Sequence, residues 1–153
     1  MSDAVLSLVP TDRLHVPAPV ARERAAAMLR AFAPSADEVR AVVHEQVAFI
    51  DCGGNWSGVR CSVCGADAES WFADAFGDCY ERSRFRELAA VAGCCGAVVV
   101  LDRLVFGWPV AFGRFALEAR NPGGLGPAGL SAKQLGALGA VVGCRLVAVP
   151  AHY

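Results

Sequence analysis

No run of uncharged residues is longer than Leu88–Leu101, 14 positions broken by Gly93-Cys94-Cys95-Gly96, whereas a helix that crosses a bilayer needs about 20 predominantly apolar residues. A membrane-spanning segment is therefore not expected. The opening Met1-Ser2-Asp3 lacks the basic stretch and long apolar core of an export signal, so the expected compartment is the cytoplasm. Lysine is nearly missing. The basic residues are thirteen arginines and Lys133, set against 15 acidic residues for a formal net charge of -1. With no basic tail, that balance lacks the electrostatic footprint of a dedicated nucleic-acid binder. The preference for arginine, with abundant Ala, Gly and Val, fits a GC-rich bacterial genome and carries no mechanistic weight. Charged residues make up only 19% and hydrophobic ones 55% of the 153 positions. Disorder is excluded, and one domain spanning residues 1–153 can bury about two-thirds of the surface its unfolded chain exposes without disulfides.

Cysteine is the residue present in excess. Seven cysteines in a chain with no export signal argue for metal binding or inert burial over a disulfide framework. Their setting follows from the periodicity. Val5-Leu6-Ser7-Leu8-Val9 reads as a buried strand, and Ala21, Ala25, Met28, Leu29 and Phe32 recur at helical spacing up to Pro34. Val39, Ala41 and Val43 then alternate with polar neighbours before a break at Glu45-Gln46 and a second run, Val47 to Ile50. This predicts a hairpin, although Ala, Glu and Arg would also support a helix from Ser35 to Gln46. Trp71, Phe72, Ala75, Phe76, Cys79 and Tyr80 mark one face of a helix over about Asp67 to Ser83. Arg86 to Ala92 and Ala97 to Leu101 flank a tight turn. Phe112 to Arg120 alternates as a strand, Ser131 and Gln134 form a capping box for a helix ending near Gly143, and Arg145 to Val149 reads as a last strand stopped by Pro150. A Gly/Pro-rich loop, Asn121 to Gly129, precedes that helix.

The outer parts in order give strand, helix, strand and strand, helix, strand, the split βαβ arrangement of an α+β, ferredoxin-like fold. Residues 52–110 break the pattern and are expected to form an inserted zinc-ribbon-like module, where a structural metal helps a small core most. Cys61-Ser62-Val63-Cys64-Gly65 has knuckle spacing: two residues between cysteines aim both thiolates at one ion, and the glycine permits the turn. Cys94 and Cys95, followed by Gly96, lie where a second knuckle belongs. The position three before Cys95 is Ala92, however, and adjacent thiolates diverge on an extended strand. The expected site is one Zn2+ held by Cys61, Cys64, Cys94 and Cys95, with Cys52, Cys79, His44 and His152 standing as alternatives to Cys94.

Phe49-Ile50-Asp51-Cys52-Gly53-Gly54-Asn55, the two cysteine turns, Trp108-Pro109 and Ala119-Arg120-Asn121-Pro122 together resemble a family of small, largely uncharacterised bacterial proteins. The likeness spans most of the chain after Val47 and implies a zinc-ribbon-like module with no assigned activity.

On function, no phosphate loop, acid/base pair or basic surface stands out, which favours a non-enzymatic, zinc-binding protein-protein interaction module. Immunity proteins and antitoxins are concrete instances. One alternative is a cysteine-based redox or hydrolytic enzyme, using the Cys61/Cys64 pair or Cys52 with His44 or His152 and Asp51 or Asn55. A second is a nucleic-acid-binding zinc ribbon, using Arg82, Arg84 and Arg86 on one face of an extended segment. Trp56, Trp108 and Pro109 lie in loops bracketing the insertion and are candidate anchors for a protein partner. A homodimer through an open sheet face or edge is the rival use of exposed apolar surface.

Overall fold

The computed structural model describes residues 3–125 and 129–153. Met1 and Ser2, and Gly126, Pro127 and Ala128 of the Gly/Pro-rich loop, lie outside the described residues. Among the described residues the chain forms eight strands and three α-helices: β1 (Ala4–Pro10), α1 (Pro19–Phe32), β2 (Glu38–Ile50), β3 (Val59–Arg60), α2 (Glu69–Ser83), β4 (Ala89–Val91), β5 (Val98–Val100), β6 (Val105–Phe106), β7 (Ala111–Arg120), α3 (Ala132–Val142) and β8 (Leu146–His152). The protein is mixed α/β. β2, β7, β1 and β8 make one antiparallel sheet in that order, and β3 with β6 and β4 with β5 make two small antiparallel pairs.

Local sequence explains the helices. Pro19 sits in the first turn of α1, where its missing N–H costs nothing. Ser131 accepts from the Gln134 N–H while the Gln134 side chain accepts from the Ser131 N–H, the reciprocal cap its spacing predicts. α1 and α3 pack on one face of the sheet, burying Leu29 and Leu138 against Leu8, Phe115 and Leu117. The opposite face carries Val9, Ala116 and Val149, covered by Cys52 and Trp108, and Phe112, which joins the core of the segment between β2 and β7.

The structure corrects the reading of residues 36–50. They form neither a hairpin nor a helix but one long strand with a bulge. Val43 pairs with Phe115 and Ala48 with Gly113, so β2 advances five positions while β7 advances two. An odd number of extra residues swaps the faces of a strand. Before the bulge, Val39 packs under the helices; after it, Val47 and Phe49 point to the other face and pack with α2. The polar pair Glu45-Gln46 lies within that bulge.

Pro150 does not stop the last strand, because β8 is an edge strand and a missing N–H is tolerated on its outer side. That outer side is covered. Asn55 and the Trp108 indole N–H both donate to the Pro150 carbonyl, at 3.2 and 2.7 Å, and the Gly54 N–H donates to the His152 carbonyl at 2.7 Å. Asp51 accepts from the Tyr153 hydroxyl at 2.9 Å. Gly53 (φ +57°) runs so close to β8 that a Cβ would collide with the His152 carbonyl oxygen. Gly53→Ala combines that collision with a left-handed backbone and should lower stability by about 2 kcal/mol, read as a reduced denaturant midpoint at unchanged slope.

Candidate metal centre

Two turns of the same design bring four sulfur atoms together. In the first, which follows β3, the Gly65 N–H bonds the Cys61 carbonyl at 3.0 Å and the Cys61 N–H bonds the Ala66 carbonyl at 2.9 Å. In the second, between β4 and β5, the Gly96 N–H bonds the Ala92 carbonyl at 2.8 Å and the Ala92 N–H bonds the Ala97 carbonyl at 2.8 Å. Gly65 and Gly96 adopt φ of +74° and +75°, a conformation that a side chain resists. Residue for residue, Ala92 therefore occupies the place of Cys61, Cys94 that of Val63, and Cys95 that of Cys64. Ala92 and Cys61 are both buried.

This correspondence answers the difficulty of adjacent cysteines. On a strand their thiols would diverge. Within the turn, the Sγ atoms of Cys61, Cys64, Cys94 and Cys95 all lie within 4.8 Å of one another. Cys61 and Cys95 are 3.9 Å apart and Cys64 and Cys94 are 3.3 Å apart. Four sulfurs about 2.3 Å from a tetrahedral ion stand about 3.8 Å from each other, so the cluster has the right scale to hold one metal ion.

The electrostatics fit a ligand set. The backbone N–H groups of Cys64 and Val63 pull the Cys61 thiol down to about 6. Cys94 is pushed up to about 12, foremost by its hydrogen bond to Cys64 and then by burial. Cys95 is raised too: the Ala97 N–H favours its thiolate, but burial and the bonds to Cys61 and Cys64 outweigh it. Without an ion, the Cys61 thiolate forms readily while Cys94 and Cys95 hold their protons more tightly, since closely spaced like charges cannot all ionise. A metal ion displaces those protons, so affinity at such a cluster rises with pH.

Trp71 is the site residue that sequence reasoning missed. As its helical spacing predicts, it packs against the core beneath α2, and, half-buried, it also lies against the Gly93 backbone, where a Cβ would stand 2.9 Å from its own Cβ. Its indole N–H is buried without a hydrogen-bond partner and lies where it lowers the Cys94 pKa slightly against the larger raising causes. Tyr80, on the same stripe, is exposed.

No family model, curated protein or solved structure matches the chain. The resemblance carried by the motifs therefore stands without support, and several of them have plain structural uses. Asp51 to Asn55 caps the edge of β8. Asn121 (φ +47°) accepts from the Ala4 N–H at 2.9 Å and donates to Asp37 at 2.8 Å, joining β1, β2 and β7.

The remaining candidates are dispersed. Cys52 is buried beneath the sheet and burial pushes its thiol up, the opposite of an activated nucleophile. Cys79 is buried in α2, and neither histidine alternative joins the sulfur cluster. Arg82, Arg84 and Arg86 share no extended face. α2 runs to Ser83, Arg82 donates to the Ala89 carbonyl at 2.9 Å, and Arg84 lies over the Tyr80 ring. Trp56 is 37% exposed, with its indole N–H on Glu69 at 3.0 Å and its ring against Phe72 and Phe106. Trp108 is half-buried and Pro109 exposed.

The matching turns make a concrete expectation. Cys94→Ala alone should weaken metal binding at least about tenfold, and adding Ala92→Cys, which restores the spacing of the first turn, should recover most of that loss in a competition titration with a chromogenic chelator.

Proposed function

We propose that this chain is a non-enzymatic interaction protein whose segment between β2 and β7 is organised by one structural Zn2+ held by Cys61, Cys64, Cys94 and Cys95. The observation that carries the reading is the convergence of four thiols from two glycine-closed turns. An all-thiolate set favours zinc over magnesium or calcium, which take oxygen ligands, and it leaves no open position for water. The ion is then a brace rather than a reagent. It ties the turn after β3 to the turn between β4 and β5, in a part of the chain whose strands are only two or three residues long.

The strand order β2, β7, β1, β8, with two helices on one face, supports a ferredoxin-like reading of the frame. The two cysteine turns support a zinc-ribbon-like reading of residues 52–110. Among the described residues no helix is long and apolar enough to cross a membrane. All seven cysteines are free, which suits a reducing, cytoplasmic setting. For a protein partner, the support is the exposed rim around the segment: Trp56, Val63, Val91, Val98 and Val105 present apolar surface, and tryptophan is a favoured interface anchor. An immunity protein or antitoxin is one form such a module takes.

Elemental analysis of protein purified without chelator should find about one zinc per chain, and Cys61→Ser should lose it. Less than about a tenth of an equivalent in the unaltered protein would reject the reading. Trp56→Ala, at the exposed rim, should weaken complex formation about tenfold while leaving zinc content unchanged.

A further inference from the structure

Beside the cysteine cluster, α2 and the β4–β5 pair enclose an open groove of about 820 Å³ whose two walls differ in character. The helix wall is acidic. Asp74, Asp78 and Glu81 follow one another at intervals of four and three along one face of α2, all exposed. Among the described residues the ion pairs are those of Arg40 with Glu38 and Glu118 and of Arg120 with Asp3, so none of the three carboxylates has a cationic partner. Arg82, the one cation in the groove, is turned back onto the Ala89 carbonyl. The strand wall is apolar: Val91 and Val98, paired across β4 and β5, are 65% and 73% exposed.

Neither wall has an internal reason. Like charges at these spacings cost a helix a few tenths of a kcal/mol per pair. Two β-branched side chains facing each other in water leave apolar area that could be buried. One class of occupant offsets both at once. We propose that the groove binds a segment of a partner protein in which arginine or lysine side chains alternate with small apolar ones, the cations meeting Asp74, Asp78 and Glu81 and the apolar residues meeting Val91 and Val98. Nucleic acid is repelled by the same wall. The groove volume lies within the range of ligand-sized clefts, and extended segments laid beside a strand pair are an established mode of peptide recognition. Trp71 and Gly93 also line the groove, and Gly93 directly precedes Cys94 in the second cysteine turn.

This proposal rests on the interaction reading above but not on the identity of the ion. The test uses the purified metal-loaded chain and two labelled peptides of about a dozen residues, one alternating arginine with valine and one alternating glutamate with valine. The first should bind saturably at one site, more weakly as salt rises, and the second should not. Asp74→Asn with Asp78→Asn and Glu81→Gln should weaken the arginine peptide at least about tenfold, and Val98→Ser severalfold. Removing like charges should not unfold the helix, and melting curves with metal analysis of each variant confirm that fold and ion are retained. Absence of saturable binding, equal binding of both peptides, or indifference to the triple substitution overturns the proposal. So does a concentration-dependent dimer that the triple substitution abolishes, since the occupant is then a second copy. Less than about a tenth of an equivalent of zinc in the chain as purified refutes the zinc reading and, if the arginine peptide still binds, leaves the groove standing; a zinc-loaded chain that does not bind it does the reverse.

Discussion

Four thiols held within 4.8 Å of one another are a constraint that the surrounding structure must satisfy. As free groups they cannot all ionise, and as protonated thiols they gain little from proximity. The two glycine turns nevertheless aim them at one point, from strand pairs far apart in the chain. The α2 helix connects the turns in sequence and packs Trp71 against the second. The segment between β2 and β7 has a core of its own, built on Phe76, Phe85, Leu88 and Leu101. What it lacks is extended strand pairing, and an ion bound between the turns would supply long-range closure that its short strands cannot.

That segment is seated by a second device, the bulge of β2. A regular strand would direct the same alternating residues to one face throughout. With three extra residues, β2 serves the helix layer through Val39 and the other core through Val47 and Phe49. Phe49 and Phe112, paired across β2 and β7, then pack with tilted rings 5.0 Å apart and continue into Phe76 and Phe85. The four-stranded sheet is thus covered on both faces by parts of one chain, with Trp108 and the Asp51 to Asn55 loop closing the margin along β8.

Features written in local chemistry were legible from the sequence. The capping box of α3, the apolar period of α1 and the Cys61/Cys64 spacing each rest on a few neighbouring residues. Features that depend on tertiary context were not. A polar pair amid alternating apolar residues fits a hairpin turn and a bulge equally well, and only the pairing with β7 decides. Pro150 ends a central strand but not an edge strand, and edge position is a property of the whole sheet. Cys94 could not be assigned as a partner of Cys95 from spacing, because its approach depends on the turn closing between Ala92 and Gly96. Asp51 to Asn55 looked like a site and serves as an edge cover, since its purpose lies in β8, about a hundred residues away.

If an ion at the four sulfurs organises the segment between β2 and β7, the main sheet should stand on its own packing without it. The decisive measurement is amide hydrogen exchange of the metal-loaded protein before and after removal of the metal by a chelator under reducing conditions. Protection should be lost around the two cysteine turns and across β3, β4, β5 and β6, and kept in β1, β7 and β8. Exchange that is unchanged after verified metal removal, or protection lost evenly through the whole chain, would contradict this expectation.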